Sequence, residues 1–189
     1  MSISPSRIVP LPRPVVSGRL ALLLSAAGGS LLMTLASHVA VPFWPVPLTM
    51  QSVTALGLGA VLGPVPAMLA ILVWIGEGAV GLPVFATGTG PSVLSGPTAG
   101  YILGFLPAAA LAGVAARHGW LAKPWTTALA FVAADAVLFA IGVTWLTVLF
   151  GWDKALMTGL VPFLIGEALK VGVATAVVTG LAGWRARRS

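Results

Sequence analysis

The chain has 189 residues, of which 58% are hydrophobic and 7% charged. Soluble domains carry roughly 25% charged residues, so this composition cannot clothe a water-facing surface, and most of the outer face must meet lipid. The net charge of +6 comes from ten Lys and Arg gathered mostly at the chain ends and in one short loop, a distribution that orients membrane proteins rather than marking nucleic-acid binding.

Crossing a hydrocarbon core of ~30 Å takes about 20 apolar residues per helix. Once loops are allowed for, the sequence predicts an all-α integral membrane protein, a single bundle of about six transmembrane helices. Residues 1–18, with four Pro and two Arg, read as an amino-terminal tail. The first apolar run, Arg19 to Val39, follows basic residues as a signal peptide does. Its length of about 20 residues suits a retained helix better than a 7–15-residue signal core. Pro42, Pro45 and Pro47 then exclude helix, because proline removes a donor and fixes φ, and a turn at a membrane face is expected. A short second helix is predicted over Thr49 to Leu62, ended by Gly63-Pro64, and a third over Pro66 to about Val80. Residues 84–97, rich in Gly, Ser, Thr and Pro, form the longest internal loop. The fourth helix is predicted over Thr98 to Ala116, followed by a turn over Arg117 to Lys123. Pro124, at a favoured first-turn position, opens a fifth helix reaching about Phe150. A small polar loop over 151–158 precedes the sixth, Gly159 to Trp184, and residues 185–189 form a basic tail. The membrane domain is thus 19–184, and no polar stretch is long enough to fold separately.

With six spans, both termini and the 117–123 loop share one side. That side holds Arg7, Arg13, Arg19, Arg117, Lys123, Arg185, Arg187 and Arg188, whereas the other holds Lys154 beside Asp153. Positive charge marks the cytoplasmic side, so the amino and carboxyl termini are expected to be cytoplasmic. Trp44, Trp120, Trp125, Trp152 and Trp184 all fall at predicted interfaces, as membrane aromatics do.

Four charges fall inside predicted helices: Glu77, Asp135, Glu167 and Lys170. A charge facing lipid at bilayer depth costs about 2.5–3.5 kcal/mol or more, so such residues mark cavities or relays. Helix direction gives their depth. Glu77 lies near the outer end of the third helix. Glu167 and Lys170 lie roughly 12–17 Å below the outer end of the sixth at 1.5 Å per residue. Thr49 and Gln51 begin the second helix at the outer surface, and Thr98 and Tyr101 begin the fourth. A pocket open to the outside is therefore expected beneath the 84–97 loop. Glu167 and Lys170, three apart, share a helical face. They read either as a self-neutralising structural pair or as a binding pair, in which the carboxylate accepts and the ammonium donates hydrogen bonds. Asp135 lies near mid-membrane, as a structural partner, a protonated acid or a ligand contact.

Other chemistries are excluded or disfavoured. The stretch Gly88-Thr-Gly-Pro-Ser-Val-Leu-Ser-Gly-Pro-Thr-Ala-Gly100 lacks the Gly-Lys-Ser/Thr ending of a Walker loop, so no ATP site and no other cofactor is expected in this chain. No credible Ser-His-Asp or Cys-His arrangement exists, and no enzyme activity is expected. The absence of Cys removes thiolate metal sites, and His38 and His118 fall on opposite membrane faces, so no metal is expected. On the first helix Ala21, Ser25 and Gly29 form a small-residue stripe. Such a stripe lets helices approach closely within lipid, either for internal packing or as an interface for a partner membrane protein.

Four segments carry a resemblance to a known family: Pro45-Val-Pro-Leu-Thr-Met-Gln51, Gly78-Ala-Val-Gly-Leu-Pro-Val-Phe85, Gly96-Pro-Thr-Ala-Gly-Tyr-Ile-Leu-Gly-Phe105 and Pro162-Phe-Leu-Ile-Gly-Glu-Ala-Leu-Lys170. Together they resemble the signature segments of the BioY family, the biotin-specific substrate-binding (S) components of energy-coupling-factor transporters, over about residues 20–183. The resemblance implies a six-helix biotin-binding subunit of the cell (plasma or inner) membrane. Its expected partners are biotin, a membrane coupling (T) subunit and a pair of cytoplasmic ABC ATPases. It further implies that Glu167 and Lys170 contact biotin, with Glu standing where the family has Asp and Trp74 where it has Tyr. The ureido N–H groups suit Glu167, and a ureido carbonyl or valerate carboxylate suits Lys170. Phe85, Tyr101 and Trp74 suit the bicyclic body. The rival reading is a stand-alone, proton-coupled secondary transporter using Glu77, Asp135 or Glu167. Inverted repeats would favour it, and none is visible in the sequence.

Overall fold

The structure, a computed structural model, describes residues 18–186. The tail expected over 1–18 lies outside these residues except for Gly18, as do residues 187–189 of the basic tail. The helices are α1 (Arg19–His38), α2 (Gln51–Leu62), α3 (Pro64–Ala79), α4 (Ala99–Arg117), α5 (Pro124–Phe150), α6 (Trp152–Gly159) and α7 (Phe163–Ala186). Between α1 and α2 the chain forms a small hairpin of β1 (Ala40–Val41) and β2 (Leu48–Thr49), paired antiparallel with Ala40 opposite Thr49.

Among the described residues, four segments are long and apolar enough to cross a membrane: α1, α4, α5 and residues Phe163–Leu181 of α7. The helices α2 and α3 are apolar but shorter, with 12 and 16 residues, or about 18 and 24 Å at 1.5 Å per residue. On α1 and α7 most of the large apolar side chains point outward. On α1, Leu20, Leu23, Leu24, Leu31, Leu32 and Leu35 are exposed, while Ala26, Gly29, Ser30, Met33, Ala36 and Ser37 are buried. On α7, Leu164, Ile165, Leu169, Val173, Val177 and Leu181 are likewise exposed. Water would penalise that arrangement. Lipid does not, and small inward residues let helix backbones approach closely.

Several boundaries depart from the sequence expectations, each for a local reason. Residues 151–158, expected as a polar loop, are mostly helical. Gly151 at φ 83° ends α5 with its N–H on Thr147 O, a backbone region open to glycine, and α6 starts directly behind it with Asp153 in its first turn. An acidic residue there complements the amino-terminal end of a helix dipole. The last long helix begins at Phe163 rather than Gly159, because Pro162 disfavours helix at the preceding residue. Glu167 and Lys170 consequently lie only about 6–11 Å along α7, within its first two turns. Thr49 belongs to β2 and not to α2. Its Oγ1 accepts from the Gln51 backbone N–H at 3.3 Å, so it precedes the helix and supports its start.

The most extensive helix contacts join α4 to α5, α2 to α4 and α1 to α3. Glycine permits the first of these: a Cβ on Gly142 of α5 would overlap the Tyr101 ring of α4.

Candidate functional site

The loop between α3 and α4 is held against the bundle at both ends. Val84 O accepts from Ser37 Oγ of α1 at 2.8 Å and from Trp74 Nε1 of α3 at 3.0 Å. Gly96 O accepts from Trp145 Nε1 of α5 at 2.9 Å. These bonds cap one end of the bundle, and the hairpin and the start of α7 complete the cap. Beneath it is a cavity of about 50 Å³.

Its walls divide by chemistry. One wall is aromatic. Trp74 is fully buried and meets Phe85 edge-on, with centroids 5.0 Å apart. Tyr101 stacks on Phe163 at 6.2 Å, and Phe139 lies edge-on to both. The Tyr101 hydroxyl donates to Gly159 O at 2.7 Å, which satisfies its polar end and locks the ring.

The other wall is polar and centres on α7. Lys170 Nζ lies 2.7 Å from Glu167 Oε1. The ammonium also donates to Thr49 O of β2 at 2.5 Å and to Ser52 Oγ of α2 at 3.2 Å. Ser52 Oγ in turn donates to Glu167 Oε2 at 2.8 Å. The carboxylate therefore abuts the first turn of α2, where unpaired backbone N–H groups favour negative charge. Gln51, buried beside Ser52, donates through Nε2 to Met33 O at 3.4 Å. The pair is mostly buried, with side chains 14% and 11% exposed for Lys170 and Glu167. Burying an ion pair is costly unless its remaining hydrogen-bond capacity is met. Here the ammonium has three protein acceptors, while the carboxylate, with about four lone-pair sites, keeps acceptor capacity facing the cavity.

Of the eight residues expected to bind ligand, seven line this cavity: Thr49, Gln51, Trp74, Phe85, Tyr101, Glu167 and Lys170. Glu77 does not. Its Oε2 accepts from Ser30 Oγ of α1, so it ties α3 to α1 on another side of α3. The expectation from depth was wrong about direction, because height along a helix leaves rotation about its axis open. Ser52 and Phe139 were missed. A serine in an apolar helix carries no signal of its own, although its position next to Gln51 in the first turn of α2 was a hint.

Asp135 lies outside the cavity lining. It is buried on α5, and both carboxylate oxygens lack a hydrogen-bond partner among the described residues. It lines a separate, mainly apolar cleft between α5, α6 and α7, which shares Phe139 and Glu167 with the cavity. The small-residue stripe on α1 divides. A Cβ on Gly29 would meet Leu58 of α2 at 3.3 Å and overlap Ala70 of α3, so this end packs internally. Ala21 and Ser25 remain partly exposed, and Ser25 lines a groove between α1, α2 and α7.

Comparisons with known proteins place this geometry among relatives. The BioY family model matches residues 13–188. A probable biotin transporter BioY of Pyrococcus horikoshii is 33% identical over 153 residues, covering 80% of this chain and 90% of the relative. The biotin transporter BioY of Thermotoga maritima is 33% identical over 161 residues, covering 84% and 94%. Among solved structures, the S-component for biotin from an ECF-type ABC transporter superposes with a TM-score of 0.75 at 20% identity, covering 87% of this chain and 92% of that one. At that identity the match speaks for the fold.

Proposed function

The chain belongs to the BioY family, and on that premise we propose that it is the biotin-binding S component of an ECF-type importer, a multi-pass protein of the cell membrane that mediates biotin uptake. The observation that carries the reading is the two-walled cavity. Biotin joins an apolar bicyclic body to a ureido group with two N–H donors and a carbonyl. Trp74, Phe85 and Tyr101 suit the body, the spare acceptor sites of Glu167 suit the N–H donors, and Lys170 suits the carbonyl or the valerate carboxylate. Thr49 and Gln51 complete the polar wall.

In this reading α1, α2, α3, α4, α5 and α7 are six spans, both termini are cytoplasmic, and the hairpin and the 80–98 loop face outward. The cavity's present 50 Å³ is well below the roughly 300 Å³ at which small-molecule sites begin. Biotin entry therefore requires the cap or a wall side chain such as Phe139 to give way. This chain is not an enzyme and supplies no ATP site or cofactor. Energy comes from cytoplasmic ATPases through a membrane coupling subunit, for which the partly exposed Ala21 and Ser25 of α1 offer a small-residue face, with Gly29 allowing α1 to lie close to the bundle.

Equilibrium binding of labelled biotin to the purified, detergent-solubilised protein tests this. Glu167→Ala and Lys170→Ala should each weaken binding at least about 10-fold, since hydrogen bonds to charged groups are worth about 1.5–3 kcal/mol. A folded wild type that binds no biotin would refute the reading. Unchanged affinity in both variants would return the pair to a purely structural role. Uptake measured with and without the coupling subunits separates the S component from a stand-alone secondary transporter.

A further inference from the structure

The polar wall contains one residue that neither composition nor motif singles out, and it touches both charges. Ser52 Oγ donates to Glu167 Oε2 at 2.8 Å and accepts from Lys170 Nζ at 3.2 Å, although it lies 115 residues from the first and 118 from the second. It is 5% exposed and lines the cavity. We propose that Ser52 is a positioning residue of the ligand site: it fixes the Glu167 carboxylate for N–H donors and holds a place on Lys170 that a ligand carbonyl takes over.

The two halves of this role follow from hydrogen-bond capacity. A hydroxyl has one donor and two acceptor sites. Its single O–H is committed to Glu167 Oε2, while Lys170 anchors Oε1. With both oxygens held, one from α2 and one from α7, the plane of the carboxylate is set and its remaining lone pairs have a fixed direction. The ammonium has three donors, directed to Thr49 O at 2.5 Å, Glu167 Oε1 at 2.7 Å and Ser52 Oγ at 3.2 Å. An incoming carbonyl must replace one of them. The contact to Ser52 is the longest and involves a neutral acceptor, so it yields first. Releasing it leaves the Ser52–Glu167 bond intact. A urea-like group, with N–H donors beside a carbonyl, meets both requirements at once.

This inference rests on the biotin reading, and its test separates the two. Affinities for biotin and for biotin methylated on its ureido nitrogens, the latter by competition, are measured in wild type, Ser52→Ala, Ser52→Thr, Glu167→Asp and Ser52→Ala/Glu167→Asp, with thermal unfolding as a folding check. Ser52→Ala should weaken biotin binding about 10-fold, or about 1.4 kcal/mol, and the methylated analogue much less, because that analogue cannot use the oriented carboxylate. Ser52→Thr, which keeps the hydroxyl, should restore most of the loss. Glu167→Asp withdraws the carboxylate by about one bond length and breaks the same contact from the α7 side. The double variant should therefore bind no worse than about the weaker single one. Glu167→Asp also carries the test should Ser52→Ala fail to fold, since it should narrow the preference for biotin over the methylated analogue. Equal losses for both ligands, additive losses in the double variant, or wild-type affinity in Ser52→Ala would overturn the inference while leaving the biotin reading in place. A folded wild type that ignores biotin would remove both.

Discussion

Glu77 and Glu167 are chemically identical carboxylates on apolar helices, yet their partners give them opposite roles. Glu167 lines the cavity and is held by Lys170 and Ser52, whereas Glu77 is turned toward Ser30, which is 1% exposed. Replacing Glu77 by Ala should leave biotin affinity within about twofold while lowering stability by about 1–3 kcal/mol, the cost of leaving a buried hydroxyl unpaired. Thermal unfolding in detergent beside a binding titration checks this. A tenfold loss of affinity without a stability change would instead bring Glu77 into the site. The residue scale is also where the sequence was least legible. Trp74 and Phe85 were reached through motif resemblance, Tyr101 first through its place in the opening turns of the fourth helix, and Glu167 with Lys170 through their charge. Ser52 emerged only when α2 and α7 were seen to meet.

Between α4 and α5 the site depends on an absent side chain. Tyr101 lies over Gly142, where a Cβ would collide with its ring, and the same tyrosine stacks on Phe163 and bonds Gly159 O. Gly142→Ala should cost about 1–3 kcal/mol through overpacking and weaken biotin binding by displacing Tyr101. Gly57→Ala is the matched control: its Cβ would meet open space, and removing a helical glycine is neutral or gains roughly 0.5–1 kcal/mol. Comparing melting temperatures and affinities of the two variants decides whether the close approach, or merely glycine content, matters. Element boundaries read from Pro and Gly were good to a few residues. The exception was α6, where a short polar stretch conceals a helix whose Ala155 packs into the core.

Over the whole molecule, the orientation is open to direct measurement because the chain contains no Cys, so single cysteines need no altered background. In intact cells Ser92→Cys, in the exposed α3–α4 loop, should react with a membrane-impermeant maleimide. His118→Cys, at the end of α4, should react only after permeabilisation. The reverse pattern would invert the topology and place the cavity on the cytoplasmic face. The same direction determines whether α1 presents Ala21 and Ser25 to a coupling subunit near the cytoplasmic surface.

Composition and order alone determined that the chain is a helical membrane protein and where its helices turn. Lipid offers backbone groups no hydrogen bonds, so apolar runs must be helical, and prolines and glycines mark their ends. What only the tertiary structure decided is rotation about each helix axis. Most faces of the long helices are apolar enough for lipid, so hydrophobicity gives little azimuthal signal, and the facing side is chosen by packing. That choice turned Glu77 away, brought Ser52 against Glu167 across 115 residues, and joined residues from five helices and a hairpin into one cavity.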